Sequence, residues 1–200
     1  MKAFDRQAPP AFWIDRVCRW VDLLAQGPLP KGNKLHDWSE QNRTMAEWFH
    51  ETVRPSGEGA FCAYCDGLLE TQSPKTIDHW VPREKCPALA LWWGNLFPAC
   101  AGCQAAKLTH WSVTWLRPDV DDVGAWVCCE LHSGRLVPAD GVDNELRKRI
   151  EDTIEGLGLN RKGLVRERWR ILSDLYSKRS GSIESLLERA HEGPYRFLAP

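Results

Sequence analysis

Apolar residues recur every three or four positions near the start of the chain, directly after a pair of prolines. This spacing predicts an amphipathic helix that the Gly27-Pro28 step ends. A second helix is predicted from Ser39 to about Val53, so residues 1–58 form an N-terminal helical segment. The apolar positions are Trp13, Val17, Trp20, Val21 and Leu24 in the first helix, and Met45, Trp48 and Phe49 in the second.

Residues 59–138 have little helical periodicity and are rich in cysteine, proline, glycine and tryptophan. Short strands bounded by turn residues are predicted here, with a turn at Ser133-Gly134 between the last two. A helix is predicted to begin near Cys103. The predicted strands are Phe61 to Leu69, Thr76 to Trp80, Ala125 to Leu131 and Arg135 to Val137.

Residues 139–200 return to helical spacing and form a C-terminal helical segment. Two amphipathic helices are predicted, with Asn160 as the N-terminal cap of the second, and a short last helix from Ser182 to Ala190. Helical segments on both sides of a strand-containing middle predict an α+β fold. The apolar positions are Leu146, Ile150, Ile154 and Leu157 in the first helix, and Leu164, Ile171, Leu172 and Leu175 in the second.

The 200 residues carry a net charge of −1, so nucleic acid would bind only through a local basic patch or with a partner. Basic residues of the third segment alternate with glutamates, which fits either phosphate contacts or a solvated helix face. Most of the 11 tryptophans are expected in the core. The polar first residues and the lack of a run of about twenty apolar residues predict a cytoplasmic location.

Four of the eight cysteines form two CxxC pairs, Cys62 with Cys65 and Cys100 with Cys103, separated by 34 residues. A two-residue spacer lets both thiolates of a pair reach one tetrahedral ion, so two pairs predict a closed, structural zinc site. The alternatives are buried cysteines without a metal, or a redox CxxC, which would need a single pair in a βαβ unit. The other cysteines, expected in the core, are Cys18, Cys86, Cys128 and Cys129.

Candidate catalytic residues lie between the CxxC pairs and just after the second. Imidazole titrates near neutral pH, so His79 suits a general base that deprotonates water. Asp78 supplies a carboxylate for a hard cation such as Mg²⁺ or Mn²⁺, which would neutralise charge on a leaving oxygen. Neighbouring residues of a strand point to opposite faces, so one site can use both only where the strand end bends.

The pattern CxxC, DHxxP, NL, and CxxC followed by a polar residue and lysine resembles the zinc-knuckle HNH endonucleases of ββα-metal fold. The resemblance implies that His79 is the general base, Asp78 a ligand of the catalytic metal and Asn95 the residue that orients His79. It places Gln104 at the second metal-ligand position and makes Lys107 a candidate phosphate contact with DNA. The family has Asn or His where this chain has Gln104, so both a retained and a weakened or inactive metal site are open.

The stretch from Ile77 to Cys100 is also similar to HNH proteins of Septu-type anti-phage systems and some retrons, as are segments around Trp115 and Leu157. This similarity implies a PtuB-like nuclease subunit that works with a PtuA-like ABC-type ATPase. The chain has no GxxxxGK(S/T) loop, so any use of ATP would come from that partner. The alternative is a zinc-binding HNH scaffold of little or no activity that binds DNA or assembles a complex.

Overall fold

A computed structural model describes residues 6–27, 39–40, 43–44, 47–50, 61–69 and 76–177. In these stretches, helices and short antiparallel strand pairs form a mixed α+β fold. The helices are α1 (Ala11–Ala25), α2 (Ala101–Lys107), α3 (Val123–Trp126), α4 (Asn144–Gly156) and α5 (Lys162–Ser177). The strands are β1 (Ser39–Glu40), β2 (Arg43–Thr44), β3 (Thr76–His79), β4 (Leu96–Ala99), β5 (Val127–Glu130) and β6 (Arg135–Pro138).

The first predicted helix is confirmed as α1. Trp13 and Trp20 are buried on it, and their indole N–H groups donate to the carbonyls of Leu91 (3.0 Å) and Pro87 (2.9 Å). These bonds allow both rings to be buried without an unpaired donor. Val21 departs from the prediction, because its side chain is 47% exposed.

The second predicted helix is wrong at its start. β1 and β2 pair as antiparallel strands, with Ser39 opposite Thr44, and the described helical residues of this region are 47–50. Positions 39–44 carry no apolar residue that could form a buried helix face. The predicted end at Val53 lies outside the described residues.

The centre of the fold is the antiparallel pair of β3 and β4. Asp78 lies opposite Phe97 in this pair, and His79 lies opposite Leu96. Helix α2 begins directly after Cys100, a little earlier than predicted, and packs against β3. The predicted strand around residues 76–80 is therefore confirmed, and it is followed in space by a second strand and a helix.

The strand predicted for residues 61–69 is wrong, because this segment forms a tight turn. An isolated bridge joins Phe61 to Leu68, and the Cys62 carbonyl accepts a hydrogen bond from the Asp66 N–H at 2.9 Å. Asp66 has a φ of 58°, in the left-handed region that aspartate adopts more readily than most residues. A turn is what brings two cysteines of a CxxC pair together. β3 pairs with β4, for which no strand is predicted.

β5 and β6 confirm the predicted hairpin, although Ala125 and Trp126 belong to the one-turn helix α3. At the hairpin turn, Gly134 has a φ of 72°. A Cβ atom at this position would lie 2.6 Å from the Val165 carbonyl oxygen. Glycine is therefore required both by the backbone conformation and by the close approach of α5.

α4 and α5 confirm the first two predicted C-terminal helices. Asp143 caps α4 by accepting a hydrogen bond from the Leu146 N–H at 2.8 Å. Asn160 is not the predicted cap, because its side-chain amide bonds both the N–H and the carbonyl of Leu136, each at 2.8 Å. It thereby holds β6 against the turn between α4 and α5. The last predicted helix, Ser182 to Ala190, lies outside the described residues.

One hydrophobic core includes buried side chains from all three predicted segments, among them Trp13, Leu96 and Ile150. The prediction that most tryptophans near the candidate site are core residues is confirmed for Trp80, Trp93 and Trp115, whereas Trp92 is 57% exposed. Of the helices in the described part of the chain, none combines the length and apolar character needed to cross a membrane.

Candidate active site and metal centre

The two CxxC pairs meet in one buried cluster. The Sγ atoms of Cys62, Cys65, Cys100 and Cys103 all lie within 4.8 Å of one another. The first pair lies on the turn of residues 61–69, and the second spans the start of α2, where the Cys103 N–H donates to the Cys100 carbonyl at 3.0 Å. The fold thus brings together the four thiols that the spacing predicts as ligands.

The four thiols lie close enough to shift one another's pKa values. Hydrogen bonds from the neighbouring thiols lower the pKa of Cys100, and the same bonds to Cys100 raise the pKa values of Cys65 and Cys103 well above their usual range. Burial raises the pKa of Cys62, but its hydrogen bonds with Cys103 and Cys65 leave that pKa below its usual range. A divalent cation would bind all four sulfurs as thiolates. The donor set fits zinc, so the cluster could hold a structural metal of this kind.

Asp78 lies near the end of β3 and is 5% exposed. Its Oδ2 atom accepts a hydrogen bond from the Tyr64 hydroxyl at 2.6 Å and lies 3.0 Å from the Lys107 ammonium. Burial raises the pKa of Asp78, although Lys107 and Tyr64 both act to lower it. Because both contacts are made by Oδ2, the atom with which Asp78 would bind a cation is Oδ1.

Lys107 ends α2 and is completely buried. Besides its ion pair with Asp78, its ammonium donates a hydrogen bond to the His79 carbonyl at 2.6 Å. These two acceptors offset the free-energy cost of removing the ammonium charge from water. The phosphate contact predicted for Lys107 would require its side chain to leave this buried arrangement.

His79 is half-buried at the last position of β3. Its Nε2 atom lies 2.8 Å from the carbonyl oxygen of Ala90. A carbonyl oxygen only accepts hydrogen bonds, so Nε2 carries the proton and the neutral ring has its lone pair on Nδ1. This tautomer suits a general base that acts through Nδ1.

Asn95 is buried and holds the loop that follows β3. Its Oδ1 atom accepts a hydrogen bond from the Val81 N–H at 2.7 Å, and its Nδ2 atom donates to the carbonyls of Val81 (3.1 Å) and Leu89 (3.0 Å). Leu89 directly precedes Ala90, whose carbonyl bonds His79. The orienting role predicted for Asn95 would therefore act through the backbone of this loop.

Gln104 lies on α2, and its Nε2 atom donates a hydrogen bond to the Ile77 carbonyl at 3.1 Å. This contact uses the amide nitrogen, so the atom with which Gln104 would bind a cation is its amide oxygen. An open cavity of about 390 Å³ is lined by Asp78, His79 and Gln104 together. Asp78 and His79 are adjacent residues, whose side chains would point to opposite faces in the middle of a strand. Both line this cavity, because they lie at the end of β3.

The sequence does not predict two groups that matter at this site. The Tyr64 hydroxyl bonds Asp78, and the Ala90 carbonyl bonds His79. Tyr64 lies in the spacer of the first CxxC pair, and its place between two predicted zinc ligands is the feature that could have drawn attention to it. Ala90 acts through its main chain, so no side-chain pattern marks it.

No protein-family model matches this chain. Over 50 residues, the chain is 36% identical to the Septu protein PtuB of Bacillus thuringiensis. The matched stretch covers 24% of this chain and 20% of that protein, so it spans much less than two thirds of the length of PtuB. A short match at this identity supports a PtuB-like relationship at most.

Proposed function

We propose that this chain is a divalent-metal-dependent HNH endonuclease that hydrolyses DNA phosphodiester bonds. The observation that carries the proposal is the cavity shared by Asp78, His79 and Gln104 at the end of β3. Two antiparallel strands followed by a helix are compatible with a ββα-metal core, and the four-cysteine cluster supports a zinc ion that would stabilise it. A proton acceptor and oxygen donors at one open cavity are the groups that metal-assisted hydrolysis requires.

In this proposal, Asp78 and Gln104 would hold the catalytic cation through side-chain oxygens. Oxygen donors suit Mg²⁺ and Mn²⁺, and such a cation would neutralise charge on the leaving 3′ oxygen. Tyr64 and Lys107 fix the other oxygen of Asp78, at 2.6 Å and 3.0 Å. The carboxylate is therefore oriented by the protein itself, which reduces the reorganisation that ligand binding would need.

His79 acts as the general base of the proposed reaction. Its Nδ1 atom takes a proton from a water molecule, whose oxygen then attacks phosphorus while the bond from phosphorus to the 3′ oxygen breaks. The Ala90 carbonyl continues to accept the hydrogen bond from Nε2, so it stabilises the imidazolium that forms. The same bond keeps the ring in one orientation before and after proton transfer.

The variant His79→Ala tests this role in a plasmid-cleavage assay with Mg²⁺ or Mn²⁺. Loss of a positioned general base is expected to reduce cleavage by about 10²–10⁴-fold. The bound zinc is expected to stay the same, because His79 is not among the four cysteine ligands. His132→Ala is the matched control, since the His132 side chain is 80% exposed on the β5–β6 turn. Cleavage by His79→Ala at the rate of the His132→Ala control would refute the assignment.

We also propose a role in anti-phage defence, as the nuclease subunit of a complex with a PtuA-like ABC-type ATPase. The support is the local similarity to the Septu protein PtuB. A net charge of −1 fits a nuclease that depends on a partner to hold DNA. Co-expression with a PtuA-like ABC-type ATPase tests the proposal, and the expected result is a stable complex that cuts DNA more readily than the chain alone. Failure of the two proteins to associate would count against the partnership.

A second function, a zinc-binding scaffold with little or no nuclease activity, is favoured by the contacts of the two proposed ligands. Asp78 is paired with Lys107, and Gln104 already donates to the Ile77 carbonyl. Titration with Mn²⁺ distinguishes the two functions, since the scaffold would neither bind Mn²⁺ at this cavity nor cut DNA with the ATPase present. A gain of cleavage in Gln104→Asn would attribute the weakness to the longer side chain of glutamine.

A further inference from the structure

The guanidinium group of Arg161 lies against the four-cysteine cluster. Its Nη2 atom is 3.3 Å from the Cys103 Sγ atom and 3.9 Å from the Cys100 Sγ atom. Its Nη1 atom donates a hydrogen bond to the Gly158 carbonyl at 3.2 Å. Arg161 directly precedes α5, so the turn between the two C-terminal helices places its positive charge beside the sulfurs.

Two glycines allow this close approach. A Cβ atom at Gly102, in the spacer of the second CxxC pair, would lie 3.0 Å from Arg161 Nη2. Gly158 has a φ of 59°, and a Cβ atom there would lie 2.9 Å from the Cβ atom of Ala106. The turn between α4 and α5 therefore packs directly on α2, which sets the distance from Arg161 to the cluster.

Charge explains what an arginine does at this position. One zinc ion bound by four thiolates leaves an excess of two negative charges. An anion held inside a protein is costly unless neighbouring groups donate hydrogen bonds to it, and such donors also orient the ligands. A guanidinium stays ionised and presents several N–H donors in one plane, so Arg161 meets both needs.

We propose that Arg161 is a positioning residue for the zinc cluster, which it stabilises by neutralising thiolate charge and by bonding Cys103 and Cys100. Because Arg161 lies in the turn between α4 and α5, the same contacts hold these two helices against the metal site. Arg161 also lines an open cavity of about 530 Å³, together with Arg135 and Asn160. The proposal concerns zinc and does not depend on nuclease activity.

The first test measures the release of zinc from the full chain to a colorimetric chelator. Arg161→Gln is expected to weaken zinc binding about 10–100-fold, as for the loss of other groups that support metal ligands, and so to release zinc faster than the wild type. Arg161→Lys keeps the charge without the planar donors, so its rate is expected to lie between the two. Arg166→Gln, an exposed arginine on α5, is the matched control. Release from Arg161→Gln at the control rate would overturn the proposal.

The second test replaces zinc with Co²⁺ and records the sulfur-to-cobalt charge-transfer absorption. A nearby positive charge lowers the energy of the sulfur electrons, so its removal should shift this band to lower energy. The expected order of band energies is wild type, Arg161→Lys, then Arg161→Gln. A residue that only supports the fold would not move the band, so an unchanged band in the Arg161→Gln protein contradicts the proposal.

Gly102→Ala gives a result even if Arg161→Gln does not fold. The added methyl group would force the guanidinium to shift by a few tenths of an ångström, because its position is 3.0 Å from Arg161 Nη2. Alanine also favours helix more than glycine does, so α2 itself should gain stability. Faster zinc release from this variant, despite its better helix former, supports the proposal. Release as slow as in the wild type argues that the position of Arg161 has no effect on the metal.

Discussion

The two candidate metal sites of this chain differ in how completely they are enclosed. The four cysteines are all buried, and their sulfurs lie within 4.8 Å of one another, so a zinc ion there would have no open position. Asp78 and Gln104 instead face an open cavity of about 390 Å³ and already have protein partners. The first arrangement suits a structural ion, and the second would suit the exchangeable ion and the substrate of the proposed hydrolysis.

The two sites are nevertheless built from the same pieces of chain. The turn that carries Cys62 and Cys65 also carries Tyr64, whose hydroxyl bonds Asp78 at 2.6 Å. Helix α2 carries Cys103 at its start and Lys107 at its end, and Lys107 pairs with the same carboxylate. Zinc in the closed site would therefore fix the two groups that hold Asp78 in the open one.

The largest expected effect comes from removing one ligand of the closed site. Cys65→Ser should lose zinc and unfold the region around α2, because binding of structural zinc contributes about 10–16 kcal/mol in zinc-finger peptides. That is comparable with the whole stability of an ordinary domain, about 5–15 kcal/mol. Zinc content per chain and the far-ultraviolet circular dichroism spectrum measure the loss.

Cys128→Ser is the matched control for this variant, since Cys128 is exposed on β5 and outside the cluster. It should keep its zinc and its spectrum. A Cys65→Ser protein that folds and retains a full equivalent of zinc would mean that the cluster is not the metal site, and the contrast between the two sites would be lost.

A smaller effect is expected from breaking the buried ion pair of the open site. Lys107→Met would leave the Asp78 carboxylate buried without its cation, which typically costs about 3–5 kcal/mol. Urea denaturation measures the change in the free energy of unfolding. Lys148→Met is the matched control, because its pair with Asp152 is exposed and such pairs contribute only about 0–1 kcal/mol. Equal losses in the two variants would show that Lys107 does not neutralise a buried charge.

Local spacing explains what the sequence could predict. The CxxC pairs, the amphipathic helices α1, α4 and α5, and the hairpin turn at Gly134 are all patterns within a few residues, and each is present in the structure. Each of these features depends on residues a few positions apart, so their spacing in the sequence is enough to identify it.

Contacts between distant residues explain what could not be predicted. The pairing of β3 with β4 joins residues far apart in the sequence, so local patterns do not show which strands pair. The turn at residues 61–69 is apolar, and a buried strand would have the same composition. The burial of Lys107 depends on how α2 packs, whereas its sequence position after a CxxC pair fits a surface contact equally well. Asn160 is a residue type that often caps helices, but its side-chain oxygen instead accepts a hydrogen bond from Leu136 on β6.

Tyr64→Phe separates the two sites with the smallest change, because it removes one hydroxyl and leaves both flanking cysteines in place. Zinc content should be unchanged, while loss of a hydrogen bond to a charged group should cost about 1.5–3 kcal/mol. Tyr64 lowers the pKa of Asp78, which burial raises above 3.8, so the variant should raise that pKa further.

The sign of the pH dependence follows from the form that the hydroxyl stabilises. The Tyr64 hydroxyl favours ionised Asp78, so the difference in unfolding free energy between wild type and Tyr64→Phe should be largest above the pKa of Asp78. It should shrink as the pH falls through that value. Urea titrations across this range test the link, with Asp78→Asn as background, in which the dependence should disappear. A pH-independent difference in both backgrounds would mean that Tyr64 only fills space beside the cysteines, and the two sites would then be independent.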